Sequence, residues 1–180
     1  MHVQPLFSSF LVTKQLDLDV KSIQDWCLQT ESIDNKVELS LHEEPLQSLY
    51  TATQTVFDDI TNNILHLSDQ VKIHEGWLNK GDSERTSVPH THPSSTYIGI
   101  YYPIIEGDVG RLEFANPVGV QEYVLPLKGI NSYNNFNSNV WQVVPYTDLL
   151  VVVPSWLQHY VRESDISSTR MSIAINGKVV

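Results

Sequence analysis

The sequence predicts a mainly β protein, a double-sheet jelly roll carried on N-terminal helices, and three observations predict it. From Val71 onward, short runs rich in Val, Ile, Tyr and Trp are cut by Gly, Pro and Asn every ~8 to 12 residues, the texture of an all-β sandwich or barrel. Before that point apolar residues recur at helical spacing instead. At 180 residues, 41% hydrophobic and 18% charged, the chain fits one folded domain.

Taken in chain order, Val3 to Val12 alternates loosely and reads as a first strand. Val20, Ile23, Trp26 and Cys27 then keep helical spacing behind the N-cap candidate Asp19. A second helix is expected between Pro45 and Leu67, where Leu46, Leu49, Tyr50, Val56, Phe57, Ile60, Ile64 and Leu65 approximate a 3.6-residue period. Such a helix packs one face on a sheet. Strands are expected near 71–79, 87–92, 96–104, 111–115, 120–126, 140–144, 148–153, 157–162 and 169–176. Gly129 to Asn139 is rich in Asn and Ser and reads as a loop of the kind that covers a site. The expected organisation is a single domain, 1–180, with a strand and supporting helices in 1–70 and a jelly-roll core in 71–180.

Acidic residues outnumber basic ones 21 to 11, which argues against a grip on nucleic-acid phosphates. The single cysteine, Cys27, cannot form an internal disulfide and agrees with a reducing, cytoplasmic setting. The start of the chain lacks the features of an export signal, and no run reaches the ~18 apolar residues of a membrane span. A homodimer is compatible with the sequence, which does not specify one.

His90 and His92 stand two apart in VPHTHP, a spacing that on a strand points both imidazoles to one face. His159 follows far along the chain in VPSWLQHYV. Three protein ligands on one face leave the remaining positions of an iron open for oxygen and a co-substrate, and both cupins and non-haem oxygenases use this arrangement. A His-X-His pair alone also occurs on ordinary surface strands. Arg170, eleven residues after His159, shares a strand face with Ser172 and Ala174 if RMSIAIN is extended. A guanidinium pairs with a carboxylate in bidentate fashion and a serine adds one hydrogen bond, which suits the distal carboxylate of a keto-diacid. The plain alternative is a surface arginine on a last strand.

The successive stretches HTHPSSTYIGIYY, LEFANP, VVVPSWLQHYV and RMSIAIN resemble the signature blocks of a 2-oxoglutarate/Fe(II)-dependent oxygenase family of bacteria and marine phages, related to prolyl hydroxylases. They span about Trp77 to Asn176. The resemblance implies a double-stranded β-helix (cupin-like) fold, Fe(II) on His90, His92 and His159, and 2-oxoglutarate as co-substrate on Arg170 and Ser172. It also implies Tyr102 at the far carboxylate, with Tyr97 and Tyr101 as neighbours that compete for the inward position. For a phage-encoded chain the compartment is the host cytoplasm. The implied reaction consumes oxygen and 2-oxoglutarate, releases succinate and carbon dioxide, and hydroxylates an unidentified protein residue or small molecule.

One departure stands out: such oxygenases commonly carry His-X-Asp or His-X-Glu, and here the second position is histidine. Either the site is a three-histidine triad, or one of His90 and His92 stands aside and a carboxylate such as Glu113 or Asp82 takes its place. Trp156, Trp141 and Phe114 read as core, and His74 as a hydrogen-bonded or supporting residue. Two other functions fit the pattern: a three-histidine cupin oxygenase that needs no 2-oxoglutarate, and a non-catalytic jelly roll with a structural metal or none.

Overall fold

Alternation organises the structure, a computed structural model that describes residues 1–4, 8–31, 36–82, 87–118, 129–162 and 168–180. Along the central strands, every second side chain meets helices and the ones between meet the inside of the jelly roll. The elements are β1 (Val12–Gln15), α1 (Val20–Gln29), β2 (Lys36–Glu38), α2 (Gln47–Asp59), β3 (Val71–Asp82), β4 (Ser87–His90), β5 (Tyr97–Glu106), β6 (Leu112–Ala115), β7 (Val140–Val143), β8 (Leu149–Pro154), β9 (His159–Val161) and β10 (Thr169–Val179). Among the described residues they form a large sheet in the order β1-β8-β5-β10-β3-β2 and a small one in the order β4-β9-β6-β7. All the pairings are antiparallel.

Two apolar clusters follow from that alternation. On the outer face of the large sheet, Tyr97, Tyr101, Leu150, Val152, Ile173 and Ile175 pack with Ile23 and Cys27 of α1 and with Leu49, Val56 and Phe57 of α2. On the inner face, Ile98, Ile100, Tyr102, Leu149, Val151 and Val153 meet Leu112, Phe114 and Val161 of the small sheet. β5 and β8 are buried on both faces, and so read as near-continuous apolar runs.

The helices approach the sheet closely because two strand positions carry no side chain. A Cβ on Gly177 would fall 2.7 Å from the Phe57 ring, and one on Gly99 would fall 3.3 Å from both Leu150 and Thr53. Burial in the helix layer also sets chemistry. Cys27 is fully buried, and desolvation pushes its thiol up to about 12, only partly opposed by Lys80.

The structure corrects several expectations. Among the described residues the first strand is Val12–Gln15, paired with β8 from Val12 opposite Val152 to Gln15 opposite Leu149, and of the strand expected from Val3 to Val12 residues 5–7 lie outside the described residues. Asp19 precedes α1 but does not cap it by side chain; its carboxylate accepts from Ser22 Oγ at 2.7 Å. The second helical segment is three pieces: a 3-10 turn at Glu44–Leu46, α2, and a π turn at Ile60–Ile64 closed by Leu65 N–H on Ile60 O. β2, three residues long, carries no signal readable from sequence. β4 stops at His90, and β9 begins only at His159, after a turn in which Leu157 N–H donates to Pro154 O. The strand expected at 120–126 lies outside the described residues.

The loop at 129–139 is irregular, as expected, and its asparagines bond their own backbone. Asn134 Oδ1 accepts from Phe136 N–H and Asn137 Oδ1 from Asn134 N–H, both at 2.8 Å. Asn116 Nδ2 on Ser138 O ties the loop to the end of β6.

Two measurements check this packing. Gly177→Val is expected to overpack the α2 contact and lower unfolding stability by ~1–3 kcal/mol in a denaturant titration, whereas Gly129→Ala, in open space, leaves the midpoint within error. Cys27 is expected to resist iodoacetamide up to about pH 9 in the native protein and to react at once in denaturant, because its raised pKa keeps the thiol protonated.

Candidate active site

His90 and His159 are directly opposed residues of β4 and β9, so strand pairing alone brings their rings to 4.4 Å between centroids. His92 arrives differently. It lies two residues beyond the end of β4, and its N–H donates to Ser155 O in the turn after β8, at 2.9 Å. Its ring centroid is 5.2 Å from each of the other two. The sequence argument that one strand would point both histidines to one face therefore reached the right cluster by a route the backbone does not take. One nitrogen from each of His90, His92 and His159 lies within 4.8 Å of the others, and among the described residues no carboxylate joins them.

The donor set fits a divalent transition metal. His90 Nδ1 faces Val88 O at 2.8 Å and His159 Nδ1 faces Leu157 O at 3.0 Å. A carbonyl only accepts, so these contacts place the proton on Nδ1 and make Nε2 the ligating nitrogen of His90 and His159. Burial pushes His159 down to about 4, a shift opposed by its carbonyl contact and reinforced by His90 and His92, so the ring is a neutral ligand at ordinary pH. Phe114, at 6.2 Å from His159, and Trp77, at 6.0 Å from His92, flank the cluster with apolar surface.

Glu113 does not complete the cluster. It shares β6 with Phe114 but points to the opposite face, where its carboxylate is buried and accepts from Gln142 Nε2 at 2.7 Å and Arg162 Nε at 2.8 Å. For Asp82, at the end of β3, the side chain lies outside what the structure describes.

On the facing sheet, β10 sends Met171, Ile173 and Ile175 towards the helices, which turns Arg170, Ser172, Ala174 and Asn176 inward. β5 does the same for Tyr102, whereas Tyr97 and Tyr101 point into the helix layer. Tyr97 packs on Phe10 and Phe57, and Tyr101 donates to Asp148 Oδ1 at 2.9 Å. Of the three candidates, Tyr102 is thus the inward one. Burial pushes its phenol up to about 12, and nearby Arg170 pulls the other way. Burial lowers the Arg170 guanidinium, and Tyr102 partly restores it. Among the described residues no carboxylate pairs with Arg170. A half-buried guanidinium without a counter-charge is an anion site.

Of the aromatics expected in the core, only Phe114 is there; Trp141 and Trp156 are 45% and 55% exposed. His74 Nε2 meets Ser95 Oγ at 3.2 Å and Glu75 Oε1 at 3.6 Å. Sequence reasoning missed Trp77. The signal exists only in the register, which sets Trp77 opposite Ala174 on the inner face.

Comparison with known proteins agrees with this geometry. No curated protein matches the sequence significantly. Among solved structures, HygX from Streptomyces hygroscopicus, with nickel and 2-oxoglutarate bound, superposes with a TM-score of 0.66 at 11% identity over 94% of this chain and 82% of its own. The viral collagen prolyl hydroxylase from Paramecium Bursaria Chlorella virus-1 gives 0.65 at 8% identity over 99% and 100%. A prolyl-4-hydroxylase from Pseudomonas putida gives 0.62 at 10% identity over 93% and 92%. These likenesses establish the fold. Residues 75–176, from β3 to β10, match the family described as Putative 2OG-Fe(II) oxygenase. The chain belongs to that family and is a 2-oxoglutarate- and Fe(II)-dependent oxygenase of the double-stranded β-helix fold.

Proposed function

We propose that the chain is a hydroxylase whose His90, His92 and His159 hold Fe(II) and whose Arg170, Ser172 and Tyr102 seat 2-oxoglutarate. The observation that carries this reading is the three-histidine cluster on one sheet facing an inward arginine on the other that has no carboxylate partner among the described residues. Iron bound there would supply the oxidation, coupling oxygen reduction and decarboxylation of 2-oxoglutarate to succinate with hydroxylation of a substrate C–H.

The chain's own residues do the rest. The carbonyls of Val88 and Leu157 fix the tautomers and orientations of His90 and His159. Arg170 would pair with the distal carboxylate, and Tyr102, a phenol throughout the physiological range, would donate to the same group. Ile100, Leu149, Val151 and Phe114 line the inner face and keep water away from the reacting end. We place the enzyme in a reducing cytoplasm with residues 1–180 acting as one oxygenase domain. Cys27 is buried and free, and no described helix is long and apolar enough to cross a membrane. A phage source accords with the viral hydroxylase among its structural relatives.

The test is anaerobic titration of the Fe(II)-loaded protein with 2-oxoglutarate. A weak visible charge-transfer band is expected in the wild type, and Arg170→Ala should weaken 2-oxoglutarate binding at least ~30-fold, or about 2 kcal/mol, as the loss of one partner of a desolvated charge pair does. Bound iron without a band would favour a three-histidine oxygenase that uses no 2-oxoglutarate. Glu113→Gln separates the two ligand sets: it is expected to lower the melting temperature by loosening the Arg162 and Gln142 contacts yet leave one iron per chain, whereas His159→Ala abolishes iron retention on a desalting column.

A further inference from the structure

A polar pair on the inner face of β3 and β10 has no part in the reading above. Asn176 is 1% exposed, and its Nδ2 donates to Glu75 Oε1 at 2.9 Å. A carboxylate only accepts, so this bond fixes the amide with Oδ1 turned away from Glu75. That Oδ1 is buried and accepts no hydrogen bond from the described residues. A buried carbonyl oxygen without a donor costs stability, and its natural complement is a ligand that brings the donor.

The register places this pair beside the histidines. Asn176 opposes Glu75 and Ala174 opposes Trp77, so Trp77 stands diagonally across from Asn176 on the same face and reaches His92 by ring contact. A backbone path makes the same connection: His92 N–H donates to Ser155 O, Ser155 N–H to Thr96 O, and Thr96 N–H to Gly177 O, the residue after Asn176. Arg170 lies six residues back along β10, beyond Ser172 and Ala174. The inward face of β10 therefore has two polar ends, with the histidine cluster over the stretch between them. With the Arg170 end given to 2-oxoglutarate, the Asn176 end is left for the molecule to be oxidised.

This end offers a buried carbonyl oxygen beside a carboxylate. Glu75 is 35% exposed at its side chain, its charged or titratable neighbour is His74, and among the described residues no lysine or arginine pairs with it. A hydroxyl or a neutral amide would satisfy Asn176 Oδ1 and leave the carboxylate unmatched. A group with several N–H donors and a positive charge meets both, and the chain's net charge of −10 draws cations towards it. From this we infer that Glu75 and Asn176 form the recognition subsite for the primary substrate, which carries an ammonium or guanidinium group close to the carbon that is hydroxylated. The inference rests on the hydroxylase reading.

The test is calorimetric titration of the anaerobic Fe(II)- and 2-oxoglutarate-loaded protein with three probes: Nα-acetyl-lysine methylamide, Nα-acetyl-arginine methylamide and the neutral Nα-acetyl-norleucine methylamide. At least one cationic probe should bind roughly tenfold or more tightly than the neutral one, and Glu75→Gln, which keeps an acceptor for the Asn176 amide but removes the charge, should abolish the difference. Asn176→Ala should do the same. Equal binding of the neutral probe, or a preference that survives in either variant with a native melting transition, overturns the subsite. The wild-type charge-transfer band separates the two readings: its absence overturns the co-substrate site, and its presence without cation preference overturns this subsite alone.

Discussion

The structure depends on the two-residue alternation of β5, β8 and β10, strands buried on both sides at the centre of the large sheet. Their outward residues form one apolar layer with α1 and α2, and their inward residues form another with the small sheet. A slip of one residue in β10 would exchange Arg170 and Ser172 for Met171 and Ile173, burying a guanidinium under helices and emptying the site of its cation. The helix layer therefore has a functional consequence although none of its residues reaches the histidines. Close packing of Phe57 on Gly177 and of Thr53 on Gly99 fixes which face of the sheet is outside.

Within that frame, electrostatics follows from burial. His159 is held neutral, Tyr102 is held as a phenol, and Arg170 keeps its charge with no carboxylate beside it among the described residues. The one well-buried carboxylate of the small sheet, Glu113, is turned to the outer surface and matched by Arg162. The separation leaves the Arg170 end of the interior lined by ligand nitrogens, apolar side chains, Ser172, Tyr102 and a cation, an environment suited to a small anion beside a metal, while the Glu75 carboxylate stands at the far end of β10 with Asn176.

Much of this was legible in the sequence. The long period-2 run from Val71 gave away the β core because burial on one or both faces dictates residue type at each position. His90 and His92 were legible as histidines turned to one face, with His159 on a facing strand, and Arg170 and Ser172 as residues of one strand face, because alternation propagates along a strand; Tyr102 came from the family resemblance, with Tyr97 and Tyr101 as rivals. What was illegible depends on pairing across the sheet. Trp77 reaches His92, and Glu75 meets Asn176, only because of the β3–β10 register, and no local pattern encodes that. His92 was anticipated on a strand it does not belong to; a bond to Ser155 from a distant part of the chain sets its place. The first strand was misplaced for a related reason, since an apolar alternation becomes a strand only where an edge is available.

The turn at Ser155–Gln158 carries the chain from β8 in one sheet to β9 in the other. Its carbonyls hold His92 at Ser155 and His159 at Leu157, while Trp156 between them faces solvent. An ion gripped by these imidazoles would act as a rivet through both layers, fastened on one side by the β4–β9 ladder and on the other by the end of β8. Loosening of the sandwich at that corner and release of the ion would then be one event, so that the rate of metal loss reports on how often the two sheets part.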